Sequence, residues 1–235
     1  MLTRTSQILI AFIALIGLAG SARAENANST QDFSIEDDRS LEEIAMDELK
    51  ALPNFGIQLR GSMSAFGSGI SSAYTQGVHS QAAVLEAEFQ PAALQNIGVI
   101  GIGPSVGVYP TTGTFSGTGM SPTTGYFSLW EAGGQIRYQA KYWPDQIVVP
   151  FVAYEMQLLN YSLINGPTNR LTLTGGSLGL SLLLNRFDPQ QALALYKSTN
   201  ISRSYFFIEG NHLAGSDSTL SIGGASFFFG LRCEL

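Results

Sequence analysis

Three arginines and five glutamates hold most of the chemical capacity of this 235-residue sequence: Arg60, Arg137 and Arg232 with Glu86, Glu88, Glu131, Glu155 and Glu209. Each lies in a stretch where polar and apolar residues alternate, and each falls on the polar side. Guanidinium and carboxylate groups on one enclosed face must pair, because an isolated buried ion costs several kcal/mol. Such a set either cross-links and fills an interior or lines a polar conduit. Five carboxylates against three guanidiniums leave a surplus that water or protonation has to absorb.

Hydrolytic and metal chemistry find less support. His79 and His212 are the two histidines. A lipid-modifying hydrolase needs a base beside a serine nucleophile, with a carboxylate to orient it. His212 is near Ser216 and Ser218, and His79 is beside Ser80, but serine is abundant throughout these segments. Two histidines without a clustered third ligand do not make a metal site. The single cysteine, Cys233, provides neither an internal disulfide nor a cysteine cluster. No catalytic residue, metal or cofactor is assigned.

The elements that must position the charges are strands. Trp130, Ala132, Gly134, Ile136, Tyr138, Ala140 and Tyr142 share one face of residues 126–143, and Glu131, Gly133, Gln135, Arg137, Gln139 and Lys141 share the other. A period of two belongs to a strand. Ordinary globular strands run about five or six residues, and this one is far longer. The steps from Trp130 to Tyr142, at ~3.3 Å each and tilted by ~40°, span about 30 Å, close to an apolar membrane band. Seven more stretches alternate in the same way: 55–67, 81–90, 97–109, 148–161, 177–185, 206–211 and 227–235. Parity slips at Gly175-Gly176 and Gly223-Gly224, where bulges would restore it. Pro104 cannot donate to a ladder and predicts a local irregularity.

The expected fold is all-β, an eight-stranded antiparallel up-and-down transmembrane β-barrel over residues 54–235. Closure leaves no unpaired edge, which lipid does not tolerate. Tyr126, Trp130 and Tyr161 toward one rim, with Phe89, Tyr142, Trp143 and Phe187 toward the other, match two interfacial aromatic girdles. A soluble lipocalin-like barrel would turn the same faces the other way, but strand length and strand number favour the membrane form.

Connections set the orientation. Those at 91–96 and 144–146 are short, and those at 68–80 and 110–125 are long and rich in Gly, Ser and Thr. Short turns belong to the periplasmic side and long loops to the outside. The third turn, 188–202, predicts a short helix with Asp188 as its cap and Pro189 at its first position.

Ahead of the barrel, residues 1–24 have the form of a cleaved signal peptide: Arg4, an apolar run from Ile8 to Ala19, and Ala22-Arg23-Ala24. The apolar run is shorter than the ~20 residues of a spanning helix. Residues 25–53 form an acidic leader. Nine acids and two bases lie between Glu25 and Leu52, and the Ser40–Glu43 capping box opens a short amphipathic helix, expected in the periplasm. A net charge of −6 and a pI near 4.8 give no footing for nucleic acid.

With the terminal FFFGLRCEL, these features resemble the small outer-membrane β-barrels of Gram-negative bacteria, of the OmpA transmembrane-domain, OmpX and OmpW type. In that family the last strand carries an insertion signal, whose positions Gly230, Leu231, Cys233 and Leu235 match. Leu235 departs from it in not being aromatic, and Phe228 stands where a polar residue is usual. The resemblance implies outer-membrane lipid and the barrel-insertion machinery as partners, a monomer, and long loops open to an extracellular ligand. The functional expectation is a non-enzymatic, porin-like membrane protein with a structural or surface-interaction role and a side-chain-plugged lumen. A narrow channel for small or apolar solutes is the alternative, and a lipid-modifying barrel enzyme the third reading.

Overall fold

The computed structural model describes residues 53–235, apart from 64, 66–69, 72–73, 96–97, 116–122, 144, 163–167 and 218–220. The signal peptide, the acidic leader and its amphipathic helix lie outside the described residues. Ten strand segments follow: β1 (Phe55–Ser62), β2 (Ile70–Ser71), β3 (Tyr74–Ser80), β4 (Ala82–Phe89), β5 (Val99–Phe115), β6 (Thr123–Gln139), β7 (Val148–Ser162), β8 (Thr168–Leu183), β9 (Arg203–Ser216) and β10 (Ser221–Glu234). β2 continues the line of β1 against β10, and β3 continues that of β4 against β5. The segments therefore make eight antiparallel staves. β1 pairs with both β4 and β10, which closes the barrel.

The stagger of the wall is set by its register. Paired residues lead from Pro150 through Leu180, Ile208, Phe229, Gly61, Ala83, Val108 and Trp130 to Asn160, ten residues further along β7; the Leu180–Ile208 step completes the circuit. Staves staggered in this way tilt by roughly 40° to the barrel axis. Alternation then sorts the side chains. Ile102, Val106, Ile136, Tyr154, Leu178 and Phe227 stand exposed on the outer wall, while Gln58, Arg60, Glu86, Arg137, Glu209 and Arg232 are buried inside. This is a soluble protein turned inside out.

Several expectations change. Neither glycine pair carries a bulge: the β7–β8 and β9–β10 registers run without a shift through Gly175-Gly176 and Gly223-Gly224. The apparent slip in parity arises because Leu171, Leu173 and Ile222 face inward and are buried. The inner face changes polarity along the strand while its phase is kept. Pro104 pairs with Gly134 in an unbroken β5–β6 ladder. On its other side the β4–β5 pairing passes from Glu86↔Ser105 to Phe89↔Ile102 with the same register, so the interruption is one of pairing only.

The strands are also longer than alternation alone marks. β6 begins at Thr123 and ends at Gln139, so Tyr142 and Trp143 lie in the following turn. Much of 68–80 and 110–125, expected as loop, is strand. β3 and the far parts of β5 and β6 form a three-stranded extension beyond Leu129↔Tyr161, the last β6–β7 pair among the described residues. At the opposite, turn end, α1 (Pro189–Thr199) follows β8. The Asp188 carboxylate accepts from the Gln191 N–H at 3.0 Å, and Asn200 closes the helix in the left-handed conformation.

Candidate functional site

Among the described residues, polar side chains converge in the interior of the barrel, where the inward parity of each strand puts them. Arg60, on β1, lies at the centre. Its Nε is 2.8 Å from Glu86 Oε1, Nη2 is 2.6 Å from Glu155 Oε2, and Nη1 is 2.5 Å from Glu209 Oε1. Arg137 bridges Glu88 at 3.0 Å and Glu86 at 3.4 Å. Arg232 bridges Glu88 at 2.7 Å and Glu234 at 3.6 Å. Glu234 also meets Lys141 at 2.6 Å and Arg203 at 3.8 Å. A continuous chain of ion pairs thus runs from mid-barrel to the turn end.

Amides take up further valences. Gln58 donates to Glu86 and accepts from Arg232 at 3.1 Å, and Gln135 donates to Glu86 at 2.7 Å and to Glu88 at 3.0 Å. Aromatic rings flank the guanidiniums. Arg60 lies 4.7 Å from the Phe228 ring, and Arg137 lies 4.4 Å from that of Phe151 and 5.9 Å from that of Phe207. These contacts combine cation–π attraction with exclusion of water. They also account for Phe228 on the inner face, where a polar residue is usual. Lys141 lies just beyond the end of β6, and burial pushes its ammonium down to about 8, with Glu234 opposing that fall.

Toward the loop end the interior becomes apolar. Val84, Tyr109, Leu129, Leu159, Tyr161, Leu171, Leu173, Leu213, Ile222 and Phe228 belong to one buried cluster. Tyr161, expected in the outer girdle, is part of it: it shares the inward parity of Glu155, Gln157 and Leu159, and its hydroxyl donates to Asp217 at 2.7 Å. Glycines face inward where the packing leaves no room. A Cβ on Gly179 would lie 2.5 Å from Phe151 Cζ, and one on Gly56 would lie 2.5 Å from Arg232 Nη2. An eight-stranded barrel is just wide enough for side chains to fill.

All eight charged residues read from the sequence meet in this interior. Gln135 and Lys141 share the face read for Glu131 and Arg137, but the charge network read from the sequence includes neither them nor Glu234, Arg203 and Gln58. Of the girdle residues, Trp130, Phe89, Tyr142, Trp143 and Phe187 are exposed, while the side chain of Tyr126 lies outside the described residues. Phe55 adds to the turn-end aromatics, with its ring 5.4 Å from that of Phe89. Leu231, Cys233 and Leu235 follow the outward parity of β10, and Gly230 faces inward, 2.9 Å from a Phe207 ring carbon for any added Cβ. His212 projects from the outer wall opposite Gly176 and Ala225. The side chain of His79 is outside the described residues.

Closure and an apolar exterior around inward-facing polar side chains together define the class: a small, eight-stranded antiparallel β-barrel of the membrane-spanning kind. No protein-family model matches the chain, and no curated protein matches it. Among solved structures, the N-terminal β-barrel domain of Pseudomonas aeruginosa OprF matches with 12% identity and a TM-score of 0.34, over 78% of this chain and 98% of that one. The β domain of the Bordetella autotransporter BrkA matches with 10% identity and a TM-score of 0.31, over 77% and 99%.

Proposed function

We propose that this chain is an exported outer-membrane protein whose barrel is a closed anchor, with a structural or surface-interaction role carried by its loop end. The observation that supports a closed lumen is its filling along the axis. Ion-paired side chains occupy the turn-end and middle portions, and the apolar cluster around Leu129, Leu159 and Leu173 covers the loop end. An ion entering from the loop end meets hydrocarbon, where an unpaired charge costs several kcal/mol or more. The outward apolar wall and the exposed turn-end aromatics suit a bilayer, with the turn end in the periplasm. No catalytic step is assigned to the interior, where five of the carboxylates are engaged with cations and Glu131 accepts from the Tyr109 hydroxyl.

Planar-bilayer recording tests the reading. The purified, folded chain gives no stepwise conductance above the bare-bilayer baseline. Reproducible single-channel steps would sink the plug and favour a narrow channel.

A further inference from the structure

The charges inside the barrel do not balance. Among the described residues, six buried carboxylates, Glu86, Glu88, Glu131, Glu155, Glu209 and Glu234, face five buried cations, Arg60, Arg137, Lys141, Arg203 and Arg232. Five of the carboxylates have a cationic partner within 4.0 Å, and Glu131 has none among the described residues. Glu131 Oε2 accepts from the Tyr109 hydroxyl at 2.6 Å, and its Oε1 is buried without a hydrogen-bond partner.

Among the buried amide oxygens that share that condition are those of Gln157 and Asn211, both of which bind Glu155 through their nitrogens. Gln157 is the diagonal neighbour of Glu131 across the β6–β7 ladder, where Glu131 pairs with Leu159 and Gly133 with Gln157. Diagonal neighbours on one face stand about 7–8 Å apart, within reach of long side chains. Gln157 donates Nε2 to Glu155 Oε2 at 3.0 Å, and Asn211 donates Nδ2 to Glu155 Oε1 at 2.9 Å. A carboxylate held by Arg60 only accepts, so neither amide can be turned over. Gln157 Oε1 and Asn211 Oδ1 are therefore left buried with no donor among the described residues.

Acceptors without donors, one of them on the diagonal neighbour of an uncompensated negative charge, call for a cation. An all-oxygen donor set selects a hard one, and a surplus of one charge selects a monovalent one. We propose that the lumen holds one sodium or potassium ion at Glu131, with the Gln157 and Asn211 oxygens as further donors. The apolar cluster at the loop end then seals the ion in. This site rests on the closed lumen of the reading above, but the two fail separately: stepwise currents would sink the plug, whereas the results below decide the site.

The full chain is folded from urea into lipid vesicles in sodium, potassium or choline chloride at one ionic strength. The temperature at which the compact gel band gives way to the unfolded one is then read. Wild type converts about 5–10 °C lower in choline, the shift expected for losing a ligand held near 100 times its Kd. Glu131→Gln removes the surplus charge and converts at one temperature in all three salts. Should that variant not fold, Gln157→Met keeps the carboxylate, removes one donor and narrows the difference between salts. Crystals grown in rubidium chloride show an anomalous peak against Glu131 Oε1. Equal wild-type conversion temperatures in all three salts, or absence of the rubidium peak, overturns the proposal and leaves protonation to neutralise Glu131.

Discussion

Arg60 lies within ion-pair distance of three carboxylates, and its guanidinium lies over the ring of Phe228. A planar fork with five donors can serve Glu86, Glu155 and Glu209 at once, which a lysine ammonium cannot. Arg60→Met keeps much of the volume and leaves those carboxylates short of a partner. Removing one member of a buried ion-pair set costs about 3–5 kcal/mol, so the urea midpoint of the variant in lipid vesicles falls accordingly. A loss below ~1 kcal/mol would mean that the network is hydrated and not a packed core. Residue type and parity were enough to place these charges on one face. The choice of partners was not readable, because Arg60 and Glu209 meet across the barrel interior, far apart in sequence and set by closure.

At the scale of elements, α1 shows how far local chemistry reaches. Asp188 as cap and Pro189 at the first helical position specify a helix start whatever the rest of the barrel does, and the structure places one there. Asp188→Ala removes the bond to the Gln191 N–H and costs about 1 kcal/mol of local stability. Hydrogen exchange of the α1 amides then quickens by about fivefold, with the barrel strands unchanged. Equal acceleration in β8 and β9 would show that the helix is coupled to the wall. Strand ends behave differently. β5 runs on to Phe115 and β6 starts at Thr123 through Thr-, Gly- and Ser-rich sequence. Alternation fades there, and pairing of β5 with β6 on one side and β3 on the other carries the ladder onward.

At the scale of the whole molecule, closure makes the fold one cooperative unit, with β10 paired on one side to β9 and on the other to β1. Such a barrel resists detergent until heated. The unboiled protein therefore runs as a compact band, ahead of the boiled one, and fractionates with membranes. Recovery in the soluble periplasm with no heat-dependent shift would defeat the membrane reading. Period-two alternation by itself determined that strands build this chain and which side chains share a face, since successive residues leave a strand in opposite directions. Tertiary structure decided what each face meets. Leu171, Leu173, Tyr161 and Ile222 are as apolar as the lipid-facing residues, and local sequence has no means of marking them as interior. Only closure, with its ten-residue stagger between Pro150 and Asn160, brings them together over the charged layer. The same closure leaves Glu131 there without an ion-pair partner among the described residues.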